Sequence, residues 1–102
     1  MRNRMKAGLA VVVAAAFVMG GATAASATTE YVGGGTWNYG VYEPASTVYV
    51  YSEYMHYSKK HRTTVQVHNG TMYRSADAAA GKWAKVEKAS YYGGNGAWWY
   101  AY

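Results

Sequence analysis

From Ser46 to Ser75 the chain alternates almost without interruption. Val48, Val50, Tyr54 and His56 interleave with Tyr49, Tyr51, Met55 and Tyr57, which predicts a long strand over residues 47–57 with β-branched and aromatic side chains on both faces. Such a strand needs one face packed on a second sheet and the other against a partner. Ser58-Lys59-Lys60-His61 breaks the pattern as a basic turn, and Val65 and Val67, alternating with Thr64, Gln66 and His68, predict a returning strand over residues 62–68. Asn69-Gly70 is the strongest local signal. Both residues accept positive φ, as a two-residue type I′ hairpin requires, so the expected register sets His68 opposite Thr71, Val67 opposite Met72 and Gln66 opposite Tyr73.

The flanking segments are shorter. Thr28 to Val32 reads as a flexible start. Gly33-Gly34-Gly35 leads into a short strand with Trp37 and Tyr39 on one face; the run suits a bulge or a close strand approach better than an anion-binding nest. Val41 to Ala45, containing Pro44, reads as a loop. Residues 76–89 are ambiguous. Ser75 or Asp77 can cap a helix through Ala78-Ala79-Ala80, but Gly81 interrupts it and Lys82-Trp83-Ala84-Lys85-Val86 alternates as a strand does. Tyr91 to Gly96 is a turn, and Ala97 to Tyr102 is an aromatic terminal strand. Six strands and no long helix predict an all-β sandwich of two sheets.

Residues 1–27 stand apart. Arg2, Arg4 and Lys6 precede an apolar run from Ala7 to Val18, and Ala25-Ser26-Ala27 supplies a small-residue cleavage pattern, with Ala22-Thr23-Ala24 as a second. This is the layout of a cleaved secretory signal peptide, too short in its apolar core for a membrane span. The expected product is an extracellular protein with one domain over residues 28–102. Three of the ten basic residues lie in the leader, leaving seven against five acidic ones. That small excess does not support a nucleic-acid-binding surface. A domain this small usually recruits disulfides, yet there is no cysteine, while twelve tyrosines and four tryptophans lie beyond the leader. Packing of large rings together with self-association, most simply a homodimer, is the expected compensation. Trp37 and Trp83 are the expected core anchors.

Gly34-Gly35-Thr36-Trp37-Asn38-Tyr39-Gly40, Tyr51-Ser52-Glu53-Tyr54 with His56, Lys60-His61 running into Thr63-Thr64-Val65, Asn69-Gly70, and Ala80-Gly81-Lys82-Trp83-Ala84-Lys85 before an aromatic tail follow a secretory leader in that order. Together they resemble the lactococcin 972 family of secreted bacteriocins. The resemblance implies a β-sandwich of two three-stranded antiparallel sheets and a strand over Gly81 to Glu87. It also implies a homodimer that binds the cell-wall precursor lipid II of Gram-positive cells and blocks septum assembly without forming pores, and a dedicated immunity system in the producer. The tryptophan-rich tail and the extended glycine run depart from the family pattern.

Lipid II presents a pyrophosphate, sugars and peptide carboxylates at a membrane surface. Anionic groups call for Lys or Arg, sugars for aromatic faces, and the membrane–water boundary favours Trp and Tyr. The candidate ligand-binding residues are therefore Lys59, Lys60, His61 and Arg62 at the basic hairpin tip, with Trp98, Trp99 and Tyr100 in the tail. Side chains alternate along a strand, so at most one of Trp98 and Trp99 enters the core. His56, His61 and His68 lack the spacing of a structural metal site, and no cofactor or metal is expected. The scattered carboxylates Glu30, Glu43, Glu53, Asp77 and Glu87 form no catalytic motif, so the chain reads as a non-enzyme. Alternative readings are a tyrosine-rich structural or adhesive surface protein and an inhibitor of a foreign hydrolase.

Overall fold

Seven strands form two antiparallel sheets in the structure, a computed structural model that describes residues 26–102. They are β1 (Ser26–Val32), β2 (Gly35–Tyr42), β3 (Val48–His56), β4 (His61–Gln66), β5 (Met72–Arg74), β6 (Trp83–Ser90) and β7 (Gly96–Ala101). One sheet has the order β1-β2-β3-β6 and the other β5-β4-β7. The expected leader lies outside the described residues except for Ser26 and Ala27, which open β1.

The all-β two-sheet sandwich is present, with one strand more than expected. Ser26–Val32, read as a flexible start, pairs along its whole length with β2 from Ser26↔Val41 to Val32↔Gly35, so the first sheet has four strands. The cause is Gly33-Gly34, a two-residue turn with φ of 63° and 85°, the conformation of a type I′ hairpin. Val41 and Tyr42, read as loop, end β2 opposite Val50 and Tyr49. The 76–89 ambiguity resolves as strand. Ala78 exchanges two backbone hydrogen bonds with His61 (3.1 and 2.8 Å), which holds the segment extended, and β6 then pairs with β3 from Ser90↔Val48 to Trp83↔Met55.

Two further expectations are corrected. The basic run from Ser58 to Arg62 is not a hairpin tip, because β3 and β4 belong to different sheets: residues 57–60 cross between them, and His61 and Arg62 already open β4. The β4–β5 hairpin pairs Gln66 with Met72 and Val65 with Tyr73, one residue off the expected register. Its loop has three residues: Gly70 N donates to Val67 O (2.9 Å), Val67 N to Thr71 O (2.9 Å), and Gly70 carries a φ of 90°. A type I turn closed by a left-handed glycine gives this loop, and it uses Asn-Gly as readily as the two-residue form does.

The alternation of β3 sorts as its pattern requires. Val48, Val50, Ser52, Tyr54 and His56 are buried, and Tyr49, Tyr51, Glu53 and Met55 face outward, half-buried. Trp37, Tyr39, Tyr54, Ala97 and Ala101 form one core cluster, with Val32 and Trp99 packed on it. Val41, Val48, Val50, Val65 and Val67 form the other, flanked by Val86 and Tyr92. Trp37 is a core anchor as expected, but Trp83 is not: it opposes Met55 on the outer face and remains 39% exposed.

A buried polar chain joins the sheets. Trp37 Nε1 donates to Ser52 Oγ (2.8 Å), Ser52 Oγ bonds Thr63 Oγ1, and Thr63 Oγ1 donates to the carbonyl of Trp98 (2.9 Å). Ser52 and Thr63 are fully buried, and each hydroxyl both accepts and donates, so no polar atom of the chain is stranded. Ser52→Ala leaves the indole N–H and Thr63 without that partner. It is expected to cost about 2 kcal/mol, a drop of roughly 10 °C in melting temperature for a domain of this size, measurable by calorimetry.

Candidate functional site

The outer face of the three-stranded sheet concentrates aromatic rings and guanidinium groups. Alternation along β4 turns Arg62, Thr64 and Gln66 outward, and alternation along β7 turns Trp98 and Tyr100 outward. Register sets Arg62 opposite Tyr100 and Thr64 opposite Trp98; on the other side, Thr64 faces Arg74 and Gln66 faces Met72. Arg62, Thr64, Met72, Arg74, Trp98 and Tyr100, with Trp99, surround a shallow cleft of about 140 Å³.

Local contacts fix the groups. The Arg62 guanidinium lies 4.5 Å from the Tyr100 ring centre and 5.6 Å from that of Tyr102, and Nη1 donates to Tyr102 Oη (2.9 Å). Tyr102 Oη donates to Asp77 Oδ1 (2.8 Å), and the hydrogen bond to this carboxylate, followed by burial, raises the Tyr102 pKa. Lys60 Nζ sits 4.6 Å from the Tyr102 ring centre and 4.0 Å from Asp77 Oδ2. Tyr100 and Tyr102 meet edge-on with centroids 5.0 Å apart. Gly96 makes room for Trp98: a Cβ there would lie 2.9 Å from the indole ring, which covers the bare backbone. Stacked guanidinium groups keep their N–H forks available for a phosphate or carboxylate, and the adjoining indole and phenol faces suit sugar rings or a membrane interface.

Of the sequence-predicted residues, Arg62, Trp98 and Tyr100 share this face, and Lys60 reaches its edge through Tyr102. Trp99 also borders the cleft, but its ring packs inward, as its neighbour's outward position dictates: it stacks against Tyr54 (5.3 Å between centroids) and closes over Gly33, where any Cβ would collide with it. The buried Nε1 of Trp99 has no hydrogen-bond partner among the described residues. His61 is fully buried, Nδ1 against the carbonyl of Lys59 (2.7 Å) and Nε2 against that of Lys82 (2.6 Å). Lys59 is exposed on the crossover rather than on the sheet. Arg74 and Met72 were missed because the expected register turned Tyr73 to this face in their place. Tyr102 was missed too, although the period of two from Trp98 through Tyr100 reaches it.

His56 and His61 pin the crossover to the core. His56 Nδ1 accepts the backbone N–H groups of Ser58 (3.1 Å) and Lys59 (3.0 Å), which puts the ring proton on Nε2, donated to Gly33 O (3.0 Å). Protonating Nδ1 would set a donor against two donors. Burial first, with the charges of Lys59 and His61 adding to it against the Gly33 bond, lowers the His56 pKa below its ordinary 6.5. The contribution of His56 to stability is therefore complete above pH 6.5 and is lost as pH falls from there through the lowered native value. Melting temperature measured across that window is expected to fall with acid, and to fall less steeply in His56→Gln. The described residues contain no group of three or more metal-ligating side chains.

A family model described as bacteriocin (lactococcin 972) matches residues 33–99, from the first turn glycine to Trp99. No curated protein and no solved structure matches the chain. The match covers β2 to β6 whole, the first four residues of β7 and well over half of the sequence, so the chain belongs to the lactococcin 972 family of bacteriocins, antibacterial proteins that act on other cells.

Proposed function

We propose that the protein is a secreted bacteriocin whose three-stranded face docks on lipid II at the surface of Gram-positive target cells and blocks septum and peptidoglycan assembly. The observation that carries this reading is the clustering of Arg62 and Arg74 with Trp98 and Tyr100 around one cleft. A pyrophosphate takes up guanidinium forks, and the rings beside it suit sugars and the headgroup region. Among the described residues no helix is long and apolar enough to cross a membrane, and killing through precursor sequestration needs none. The same reading includes a cleaved leader and a homodimer, checked by sedimentation of the secreted protein at micromolar concentration. It assigns Lys59 no direct contact with the ligand.

Gram-positive indicator cells treated with the purified protein are expected to elongate without dividing and to exclude a membrane-impermeant dye. Arg62→Gln combined with Arg74→Gln should raise the inhibitory concentration at least about tenfold, the loss of charge-assisted hydrogen bonds worth about 1.5–3 kcal/mol each, with the folded protein retained by circular dichroism. Lys59→Gln should leave inhibition unchanged. Rapid dye entry, or full inhibition by the double variant, would contradict the reading.

A further inference from the structure

On the opposite side of the sandwich, β2, β3 and β6 turn Tyr42, Tyr51, Glu53 and Glu87 outward around a groove of about 350 Å³, whose lining is completed by Val41 and, before the proposed cleavage of the leader, by Ala27. A second hollow of about 350 Å³ shares Tyr51, Glu53 and Glu87 and runs on to Lys85. Register brings these groups together: Tyr51 opposes Glu87, and Glu53 opposes Lys85. The Tyr42 and Tyr51 rings meet at 84° with centroids 5.8 Å apart, giving two walls at right angles, and Tyr49 flanks Tyr42 at the same centroid distance. Tyr42 Oη donates to Glu87 Oε1 (2.9 Å), which fixes that carboxylate at the rim. Glu53 is half-buried beside Tyr51, and its carboxylate makes no hydrogen bond or ion pair among the described residues, Lys85 included.

Perpendicular phenol faces backed by carboxylates have a defined chemistry. The ring faces are negative and attract a cation, and two glutamates against one lysine give the groove the same sign. A phosphate or carboxylate ligand is repelled. A quaternary ammonium would be held by the rings but would leave the Glu53 oxygens without donors, whereas a primary ammonium offers three N–H groups and answers both features. The groove is open and shallow, which suits a group carried on a flexible stem rather than an enclosed metabolite.

We propose that the Tyr42–Tyr51–Glu53–Glu87 groove is a second binding site, for the primary ammonium of a lysine-type side chain in a peptide. It lies on the other sheet from the arginine–tryptophan face, so one molecule presents an anion-binding surface and a cation-binding groove on opposite sides and can engage both ligands at once. The site is independent of what the arginine face binds.

The test is a titration of the purified protein with acetyl-Gly-Lys-Gly-amide, followed by backbone amide NMR shifts. Saturable shifts at Tyr42, Tyr51, Glu53 and Glu87 are expected, with a dissociation constant of roughly 1 mM, in the range of a single charged anchor. Acetylating the lysine Nε should weaken binding at least about tenfold, since it removes the charge and two of the donors. Glu53→Gln should do the same while leaving the melting temperature unchanged, because the carboxylate has no partner among the described residues. Equal binding of the acetylated peptide, an undiminished affinity in Glu53→Gln, shifts confined to the three-stranded sheet, or no saturable shift at all would each overturn the proposal. So would an N-acetylglucosamine oligomer that saturates the groove where the lysine peptide does not.

Discussion

An indole N–H, two hydroxyls and a backbone carbonyl in series tie the two sheets together through the middle of the interior. The domain has no disulfide, and hydrophobic packing alone is marginal at this size. Rings and valines supply the burial, but apolar contacts tolerate sliding of one sheet on the other. The Trp37–Ser52–Thr63–Trp98 chain does not: its hydroxyls are satisfied in one arrangement, and slippage would strand them in an apolar interior. Because the last acceptor is the carbonyl of Trp98, the same chain that sets the sheets in register fixes the backbone of β7 beneath the outward indole and Tyr100.

The site therefore inherits its geometry from the core. Arg62 and Tyr100 oppose each other because β4 pairs with β7, and Arg74 joins them because the three-residue hairpin turns Met72 and Arg74 outward. On the inner side, Trp99 closes over the Gly33 turn, and His56 donates to the carbonyl of the same glycine. The β1–β2 turn, the basic crossover and the aromatic tail thus meet at one end of the sandwich. A change in any of them reaches the others through contacts rather than at a distance.

Much of this was legible in the residues. The interleaved β3 pattern marked a strand with two distinct faces without saying which of them is buried, and adjacency put Trp98 and Trp99 on opposite faces. What escaped did so for physical reasons. Strand β1 has no apolar alternation; it is a strand because Gly33-Gly34 folds it onto β2. Asn69-Gly70 serves two- and three-residue hairpins alike, so the dipeptide located the turn without setting its register, and that single step decided whether Tyr73 or Arg74 reached the face. His61 belongs by alternation with Thr63, Val65 and Val67 and so is inside, although its basic neighbours made it look like part of a charged tip. Trp83 is outward because it opposes Met55, a pairing that only the strand order reveals.

The central claim, that the arginine–tryptophan face of the three-stranded sheet is the target-binding surface, is tested most directly by mapping amide and indole NMR shifts of the protein on bicelles with and without lipid II. The account predicts that lipid II-dependent perturbations centre on Arg62, Thr64, Arg74, Trp98 and Tyr100, with the indole N–H of Trp98 moving and the β1–β2–β3–β6 sheet little affected. Perturbations centred on that four-stranded sheet or on residues 57–60, or identical spectra with and without lipid II, would contradict it.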